Sequence, residues 1–288
     1  MDAPRRSPDG QHPAPRRPAA RERAAAERPR PARSAVHRLR RAAVGSSGIV
    51  VFLLVWQIAP QLGWVDKTFL PPFTQVLHAW WGLAVSGELW ADLRASLFRS
   101  LTGFVIAVVA AVPAGLLIAW YRTLADAVTP LLTIFLNTAA VALLPVFVLI
   151  LGIGETSKIA IIAYASFWPV LYNTISGARN VDPLLVRSVR SLGVTGPRLL
   201  QKVILPGALP TIFTGIRLAG ATSILVLITT ELVGAKAGLG YLISNAQYNF
   251  QIPQMFAGIL TVAAVGLVFY QILITAERRV SHGQVPSR

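Results

Sequence analysis

The chain has 288 residues, of which 54% are hydrophobic and 14% charged, and its formal net charge is +15. Soluble domains carry roughly 25% charged residues, so this composition indicates that lipid is the main solvent. The absence of cysteine excludes a disulfide framework, a thiolate metal site and a cysteine nucleophile.

The N-terminal segment 1–41 is rich in Pro, Ala and Arg, and it holds 12 Arg residues against four acidic residues. Because it has so few large apolar side chains, it cannot offset the entropy of ordering, and we predict a disordered cytoplasmic tail. It has no Phe, Tyr or Trp to stack on bases, which argues against a nucleic-acid partner. Its positive charge favours contact with anionic headgroups of a lipid bilayer instead.

Six apolar segments follow, each about as long as the roughly 20 residues that a helix needs to cross a bilayer. They lie at about 45–63, 98–120, 127–151, 158–177, 211–233 and 254–275. Their apolar runs are continuous and not alternating, which excludes a β-barrel pattern. We therefore predict an all-α polytopic membrane bundle over 42–280, followed by a cytoplasmic tail at 281–288.

Lys and Arg residues set the predicted orientation, because they accumulate on the cytoplasmic side of a membrane. With the N-terminus inside, that side receives the Arg-rich tail, the basic segment 178–210, Arg278 and Arg279. Both termini are then cytoplasmic, and six spans satisfy the parity.

The segment between the first two spans contains Pro71-Pro72, a signal for a helix stop and restart. Apolar residues at helical spacing follow it, including Val76, Trp80 and Leu83. Since Trp favours the membrane interface, we predict an interfacial helix on the outer side.

The segment 178–210, between the fourth and fifth spans, is polar, basic and helical in pattern. Asp182-Pro183 predicts a helix start, with Asp as the cap and Pro in the first position. Gly193 predicts the end of that helix. Gly196-Pro197 predicts a second short helix that ends at Leu205-Pro206. We expect a helix–turn–helix that projects into the cytoplasm and connects a soluble partner to the spans.

The residues Arg187-Ser188-Val189, Gly193, Val203 and Leu205-Pro206 resemble the coupling motif of permease subunits of bacterial ABC importers. That motif reads Glu-Ala-Ala, three residues, Gly, nine residues, Ile, one residue, Leu-Pro. Gly193, Leu205 and Pro206 match at the right spacing, and Val203 replaces Ile. Arg187, Ser188 and Val189 replace Glu-Ala-Ala, which reverses the charge at the first position.

The resemblance covers about 60–280 and points to the nitrate/sulfonate/taurine branch of these permeases. Its other matching stretches are 144–145, 152–158, 167–169, 177–183 and 238–243. It implies a multi-pass protein of the bacterial cytoplasmic membrane that works with an ABC ATPase subunit and an extracytoplasmic substrate-binding protein. It also implies a permease homodimer and a small oxyanion or organic sulfonate as substrate.

The sequence contains no G-x-x-x-x-G-K-[ST] phosphate loop, so ATP is expected on the partner ATPase and no cofactor on this chain. No catalytic or metal-binding constellation is visible. Asn137, Asn173, Thr222 and Glu231 are polar residues in or at the ends of spans. Asn137, Asn173 and Thr222 either line a translocation path or form interhelical hydrogen bonds, whereas Glu231 either lines the path or lies at the membrane interface. The alternative function, an ion-coupled secondary carrier, would need intramembrane ionisable residues, of which Glu231 is the one candidate.

Overall fold

The structure, a computed structural model, describes residues 47–281. The predicted tail 1–41 and all but the first residue of the predicted tail 281–288 lie outside these residues. All regular secondary structure within the described range is helical, which confirms the predicted fold class. The helices are α1 Ser47–Ile58, α2 Phe73–Ser86, α3 Glu88–Trp120, α4 Arg122–Asn137, α5 Leu144–Leu151, α6 Glu155–Arg179, α7 Pro183–Ser191, α8 Gly196–Leu232, α9 Leu239–Tyr248 and α10 Ile252–Ser281.

Within residues 47–281, four helices are long and apolar enough to cross a membrane, namely α3, α6, α8 and α10. They correspond to the predicted spans at 98–120, 158–177, 211–233 and 254–275. Each helix extends beyond the predicted span, and α3 begins ten residues earlier, at Glu88. The reason is that hydropathy marks the part of a helix in hydrocarbon, whereas helical hydrogen bonding continues through charged residues such as Asp92 and Arg94.

The first predicted span is represented by α1, which has too few described residues to cross a bilayer. Helix α1 ends at Ile58, five residues before the predicted end, in a turn that contains Pro60 and Gly63. A boundary between two compact units of the chain falls within it, after Val55. The count of six spans therefore stays a prediction.

The third predicted span, at 127–151, is not one straight helix. It is divided into α4 and α5, which are bent by 85° and joined through a 3-10 turn at Ala140–Leu143. Two side chains at the end of α4 bond to backbone carbonyls four residues earlier: Asn137 to Thr133 O (2.7 Å) and Thr138 to Ile134 O (2.8 Å). Pro145 follows in the first turn of α5, where its missing N–H is tolerated.

The bent pair α4–α5 carries the chain back across the bundle. Gly103 of α3 packs on Ile162 of α6, and Gly115 packs on Thr174, so α3 and α6 run parallel. The chain between two parallel helices must return along their length, and α4 and α5 make that return. The pair α4–α5 is therefore a broken span and not a re-entrant loop, which would leave the membrane on the side where it entered.

Helix α6 lies between α3 and α8 at the centre of the bundle. A Cβ on Gly115 would lie 2.7 Å from Thr174 Cβ, and a Cβ on Gly215 would lie 2.6 Å from Asn173 Cβ. Small residues allow membrane helices to approach closely and gain van der Waals contact. The sequence thus builds a tightly packed three-helix core of α3, α6 and α8.

Helix α2 confirms the predicted helix after Pro72. Val76 and Leu83 are buried, in a cluster with Leu239 of α9 and Ala257 of α10. Trp80 Nε1 donates to Thr261 Oγ1 of α10 (3.1 Å). One face of α2 therefore packs on protein, while residues such as Trp81, 65% exposed, remain on the outer face.

Candidate functional site

The segment 180–204 consists of the connection from α6 to α8, including α7, and the first nine residues of α8, and it is called the α7 loop below. Helix α7 begins at Pro183, and the Asp182 carboxylate accepts a hydrogen bond from Leu184 N (2.8 Å), as the Asp-Pro pair predicts. Its C-terminal end is closed by Gly193 N donating to Arg190 O (2.9 Å) and Val194 N donating to Val189 O (3.3 Å). Gly193 has φ +81°, a conformation that side-chain-bearing residues rarely adopt.

The predicted second short helix is wrong at its C-terminal boundary. A helix does begin at Gly196, but it passes Leu205-Pro206 and continues to Leu232 as one segment, α8. Proline removes an intrahelical N–H donor, which usually kinks or ends a helix. Here a π-helical turn at Leu200–Ile204, closed by Leu205 N donating to Leu200 O, precedes Pro206 and accommodates it. The α7 loop is thus joined directly to a long helix.

The surface of the α7 loop combines positive charge with exposed leucines. Arg187, Ser188 and Gly193 are exposed, and Leu184 and Leu192 are 69% and 80% exposed. Val189, Val203, Leu205 and Pro206 are half-buried and support the loop from the α8 side. An exposed basic helix with apolar side chains has the chemistry of a protein-docking surface.

The four predicted path residues do not form one cluster. Asn137 is exposed at the α4–α5 break, and Asn173 and Thr222 are half-buried. Asn137, Asn173 and Thr222 each donate to a carbonyl four residues earlier in their own helix. Glu231 is 1% exposed and has partners on other helices. Their role in a translocation path stays a prediction.

Glu231 belongs to a buried set of ionic and hydrogen-bonding groups, called the Arg99 cluster below. Arg99 Nη1 donates to Glu231 Oε1 (2.6 Å), while Arg99 Nε and Nη2 donate to the two oxygens of Glu155 (2.5 and 2.7 Å). Ser96 Oγ lies 2.8 Å from both Glu231 oxygens. Arg99 is 3% exposed, so one buried guanidinium joins α3 to the start of α6 and the end of α8.

The Arg99 cluster also holds the N-terminus of α9. The backbone N–H groups of Gly238, Leu239 and Gly240 donate to the side chains of Asp92 (2.8 Å), Ser96 (2.8 Å) and Glu231 (2.9 Å), respectively. Arg99 Nη1 also donates to Ala237 O (2.7 Å). The first N–H groups of a helix have no partner within the helix, and the cluster supplies those partners here.

Two glycines allow this close approach. Gly238 has φ +123°, and a Cβ there would collide with the Glu231 carboxylate and lie 2.7 Å from Arg99 Nη1. A Cβ on Gly240 would lie 2.6 Å from Glu231 Cβ and 2.7 Å from Ile228 O. The stretch 238–243 is part of the family resemblance, and this packing explains why two of its residues are glycines.

Sequence reasoning missed the Arg99 cluster. It assigned Glu231 to a path or to the interface and did not pair it with Arg99. The available signal was a set of ionisable residues at the ends of three apolar runs, Arg99, Glu155 and Glu231, together with the Gly-Leu-Gly stretch after Glu231. Residues of opposite charge at the same depth in a bundle are expected to pair.

Polar residues on one side of α9 border a cleft of about 610 Å³. Its lining includes Glu88 and Asp92 of α3 and Tyr241, Asn245 and Asn249 of α9 and its C-terminal end. The Arg99 cluster thus positions a short helix that faces a polar cleft. The cluster and this cleft lie at the end of the bundle opposite the α7 loop, because Glu155 begins α6 and the α7 loop follows the end of α6.

Residues 93–282 match the model of a protein family described as the binding-protein-dependent transport system inner membrane component. The chain is 38% identical over 220 residues to the putative aliphatic sulfonates transport permease protein of Escherichia coli (strain K12), covering 75% of this chain and 82% of the relative. It is 32% identical over 253 residues to the taurine transport system permease protein of the same organism, covering 85% and 92%. A riboflavin transport system permease protein of Chloroflexus aurantiacus is 31% identical over 249 residues, covering 86% and 93%.

The fold is similar to that of a solved structure, the MetNI methionine ABC transporter in inward-facing conformations. The TM-score is 0.58 at 19% sequence identity, and the match covers 67% of this chain and 97% of that chain. At this identity the likeness concerns the fold alone.

Proposed function

Because the chain belongs to the family of binding-protein-dependent transport system inner membrane components, we propose that it forms the substrate translocation path of an ATP-driven importer. The sequence lacks a phosphate loop, so a separate ABC ATPase subunit hydrolyses ATP. An extracytoplasmic binding protein delivers the substrate. The curated relatives support this assignment by similarity over most of their length.

The observation that carries the proposal is the geometry of the α7 loop. A capped helix and a tight turn at Gly193 present Arg187 and exposed leucines outward, and α8 extends from the same loop across the bundle. Docking of an ATPase on this surface would act directly on the ends of α6 and α8. Arg187, Ser188, Val189 and Gly193 form the docking side, and Val203, Leu205 and Pro206 form its support.

The α7 loop lies on the cytoplasmic side in this proposal, since its described residues carry Arg187, Arg190, Arg198 and Lys202. The Arg99 cluster and α9 then lie at the outer face. With α1 and the broken span α4–α5 counted, six crossings keep both termini in the cytoplasm. Two copies of the permease enclose the path between them, and Asn137, Asn173 and Thr222 are the residues assigned to it.

The proposed substrate class is a small oxyanion or organic sulfonate, by similarity to the sulfonate and taurine permeases. A riboflavin permease of comparable similarity indicates that related chains serve other solutes, so the binding protein sets most of the selectivity.

The test is an affinity purification of this chain from its native membrane in mild detergent, with mass identification of the co-purifying proteins. An ATPase at about one to one, with taurine- or alkanesulfonate-stimulated ATP hydrolysis in nanodiscs, is the expected result. If no ATPase is retained in several detergents and the purified chain alone moves taurine into vesicles under an ion gradient, the proposal fails and the carrier alternative replaces it.

A further inference from the structure

The two ends of the α6–α8 pair carry two different structures. At one end is the α7 loop, and at the other end Glu155, the first residue of α6, and Glu231, near the last residue of α8. Helix α6 has 25 residues, which corresponds to about 37 Å between these ends.

The α6–α8 pair is packed tightly between its ends. A Cβ on Gly177 would lie 2.9 Å from Thr211 Cβ, and a Cβ on Gly215 would lie 2.9 Å from Pro169 O. Backbones that approach this closely leave little room for one helix to slide past the other. A displacement of the α7 loop is therefore expected to move both helices together.

The outer ends of both helices are fastened to α9 through one side chain. Arg99 binds Glu155 of α6, Glu231 of α8 and the carbonyl oxygen of Ala237, two residues before α9. The bidentate Arg99–Glu155 contact fixes orientation as well as distance, because the planar guanidinium matches the carboxylate. Glu231 adds a second link by accepting from Gly240 N in the first turn of α9.

We propose that Arg99 is a positioning residue of the transport cycle, which links movement of the α6–α8 pair at the α7 loop to α9 and the polar cleft beside it. This inference rests on the proposed function, because it takes the ATPase to act on the α7 loop. It assigns α9 as the element of the outer face that responds to nucleotide. A buried ion pair that serves stability alone would leave α9 unresponsive to nucleotide.

The two carboxylates differ in a way that makes the link testable. The Glu231 side chain is 0% exposed, so a neutral substitute there would be a buried polar side chain. The Glu155 side chain is 56% exposed, so its substitute can contact water. Glu155→Gln removes the ion pair with α6 and retains the buried Arg99–Glu231 pair. A matched control is Glu277→Gln, which removes an ion pair to Arg217 that joins α8 and α10 (2.8 Å).

The experiment uses a single engineered cysteine as a reporter, since the chain has none of its own. Asn245→Cys places a thiol on the exposed side of α9 in the polar cleft. The full permease–ATPase complex in nanodiscs is labelled with a maleimide, without nucleotide and after trapping with ATP and vanadate. The expected result is a labelling rate that differs at least about 5-fold between the two states. This difference should be reduced in Glu155→Gln, which keeps the Glu231 link, and unchanged in Glu277→Gln.

Two outcomes would overturn the inference: a labelling rate at position 245 that does not depend on nucleotide, or a nucleotide dependence that Glu155→Gln leaves intact. If Glu155→Gln fails to assemble with the ATPase, Glu155→Asp replaces it, with charge kept and reach shortened, and a reduced nucleotide dependence is expected. Stimulation of wild-type ATP hydrolysis by taurine reports on the proposed function separately. The link can therefore fail while the transport assignment stands, whereas a wild-type chain that retains no ATPase overturns both.

Discussion

Gly240 and Glu231 are in direct contact across the turn between α8 and α9. Gly240 N donates to Glu231 Oε2 at 2.9 Å, and a Cβ on the glycine would lie 2.6 Å from the Cβ of the glutamate. The glycine supplies a hydrogen-bond donor and leaves space for the carboxylate. The burial of the Glu231 carboxylate therefore depends on a glycine nine residues later.

Gly240→Ala is expected to destabilise the protein by about 1–3 kcal/mol, the usual range for overpacking. The added methyl group meets backbone, Ile228 O at 2.7 Å and Leu232 N at 3.2 Å, and backbone atoms yield little. Thermal unfolding of the purified chain in detergent measures the effect. The control is Gly82→Ala in α2, where a Cβ has nothing within 4 Å and helix propensity improves. Equal unfolding temperatures for the two variants would contradict the packing described at Gly240.

Glu231→Gln is expected to destabilise more strongly, by about 3 kcal/mol, because breaking a buried ion pair on one side leaves the partner charge without compensation. Both side chains are buried, and the ion pair with Glu155 would be the one that Arg99 keeps among the described residues. The double variant Arg99→Met/Glu231→Leu removes both charges, and part of the stability should return.

A double-mutant cycle of unfolding free energies among Arg99→Met, Glu231→Leu and the double variant checks this expectation. Additive effects of the two single changes would show that the Arg99–Glu231 contact contributes no coupling energy.

Much of the fold could be predicted from the sequence because hydropathy reports directly on lipid exposure. Four of the six predicted spans coincide with helices that are long and apolar enough to cross a membrane, and Asp182-Pro183 predicted the first residue of α7 because cap chemistry is local. The break between α4 and α5 was not predicted, because the segment 127–151 is apolar on both sides of it. Hydropathy carries no information about a bend between two segments that are both apolar.

The Arg99 cluster could not be derived from local pattern, because its members come from three distant parts of the chain, 92–99, 155 and 231–240. Arg99 and Glu231 are separated by 132 residues, and no spacing rule relates them. Their pairing depends on α3 and α6 running parallel, which in turn depends on α4 and α5 returning across the bundle. The start of the long helix α8 was placed wrongly for a different reason. Pro206 predicts a helix end because it lacks an N–H donor, but a π-helical turn at Leu200–Ile204 lets the helix continue through it.

Arg187→Glu is expected to weaken retention of the ATPase about 10-fold, with a smaller effect of salt on the variant complex. Arg187 is exposed on α7, and the described residues 183–204 include Arg190, Arg198 and Lys202 but no acidic residue. A partner surface that fits this loop is therefore acidic, and reversing one charge costs attraction and adds repulsion. Pull-down at two ionic strengths measures the effect. The control Arg94→Glu, on α3 at the opposite end of the bundle, should retain the ATPase normally.

The opposite result would also be informative. A complex that is unchanged or tighter in Arg187→Glu would show that the ATPase surface in contact with this position is not acidic. It would then favour a contact like the one expected for the Glu of the related coupling motif.

Gly193→Val is expected to abolish coupled transport while the chain still inserts into the membrane. Gly193 has φ +81°, and a left-handed conformation is disfavoured by roughly 1–2 kcal/mol for most side-chain-bearing residues. No atom lies within 4 Å of a Cβ at this position, so the effect comes from the backbone and not from a clash. Gly193→Asn has a similar side-chain volume but tolerates this conformation, and it should keep most of the activity. The ratio of taurine imported to ATP hydrolysed, measured at equal amounts of assembled complex, separates the two variants. If Val and Asn impair coupling equally, the turn conformation at Gly193 is not what connects the ATPase to the spans.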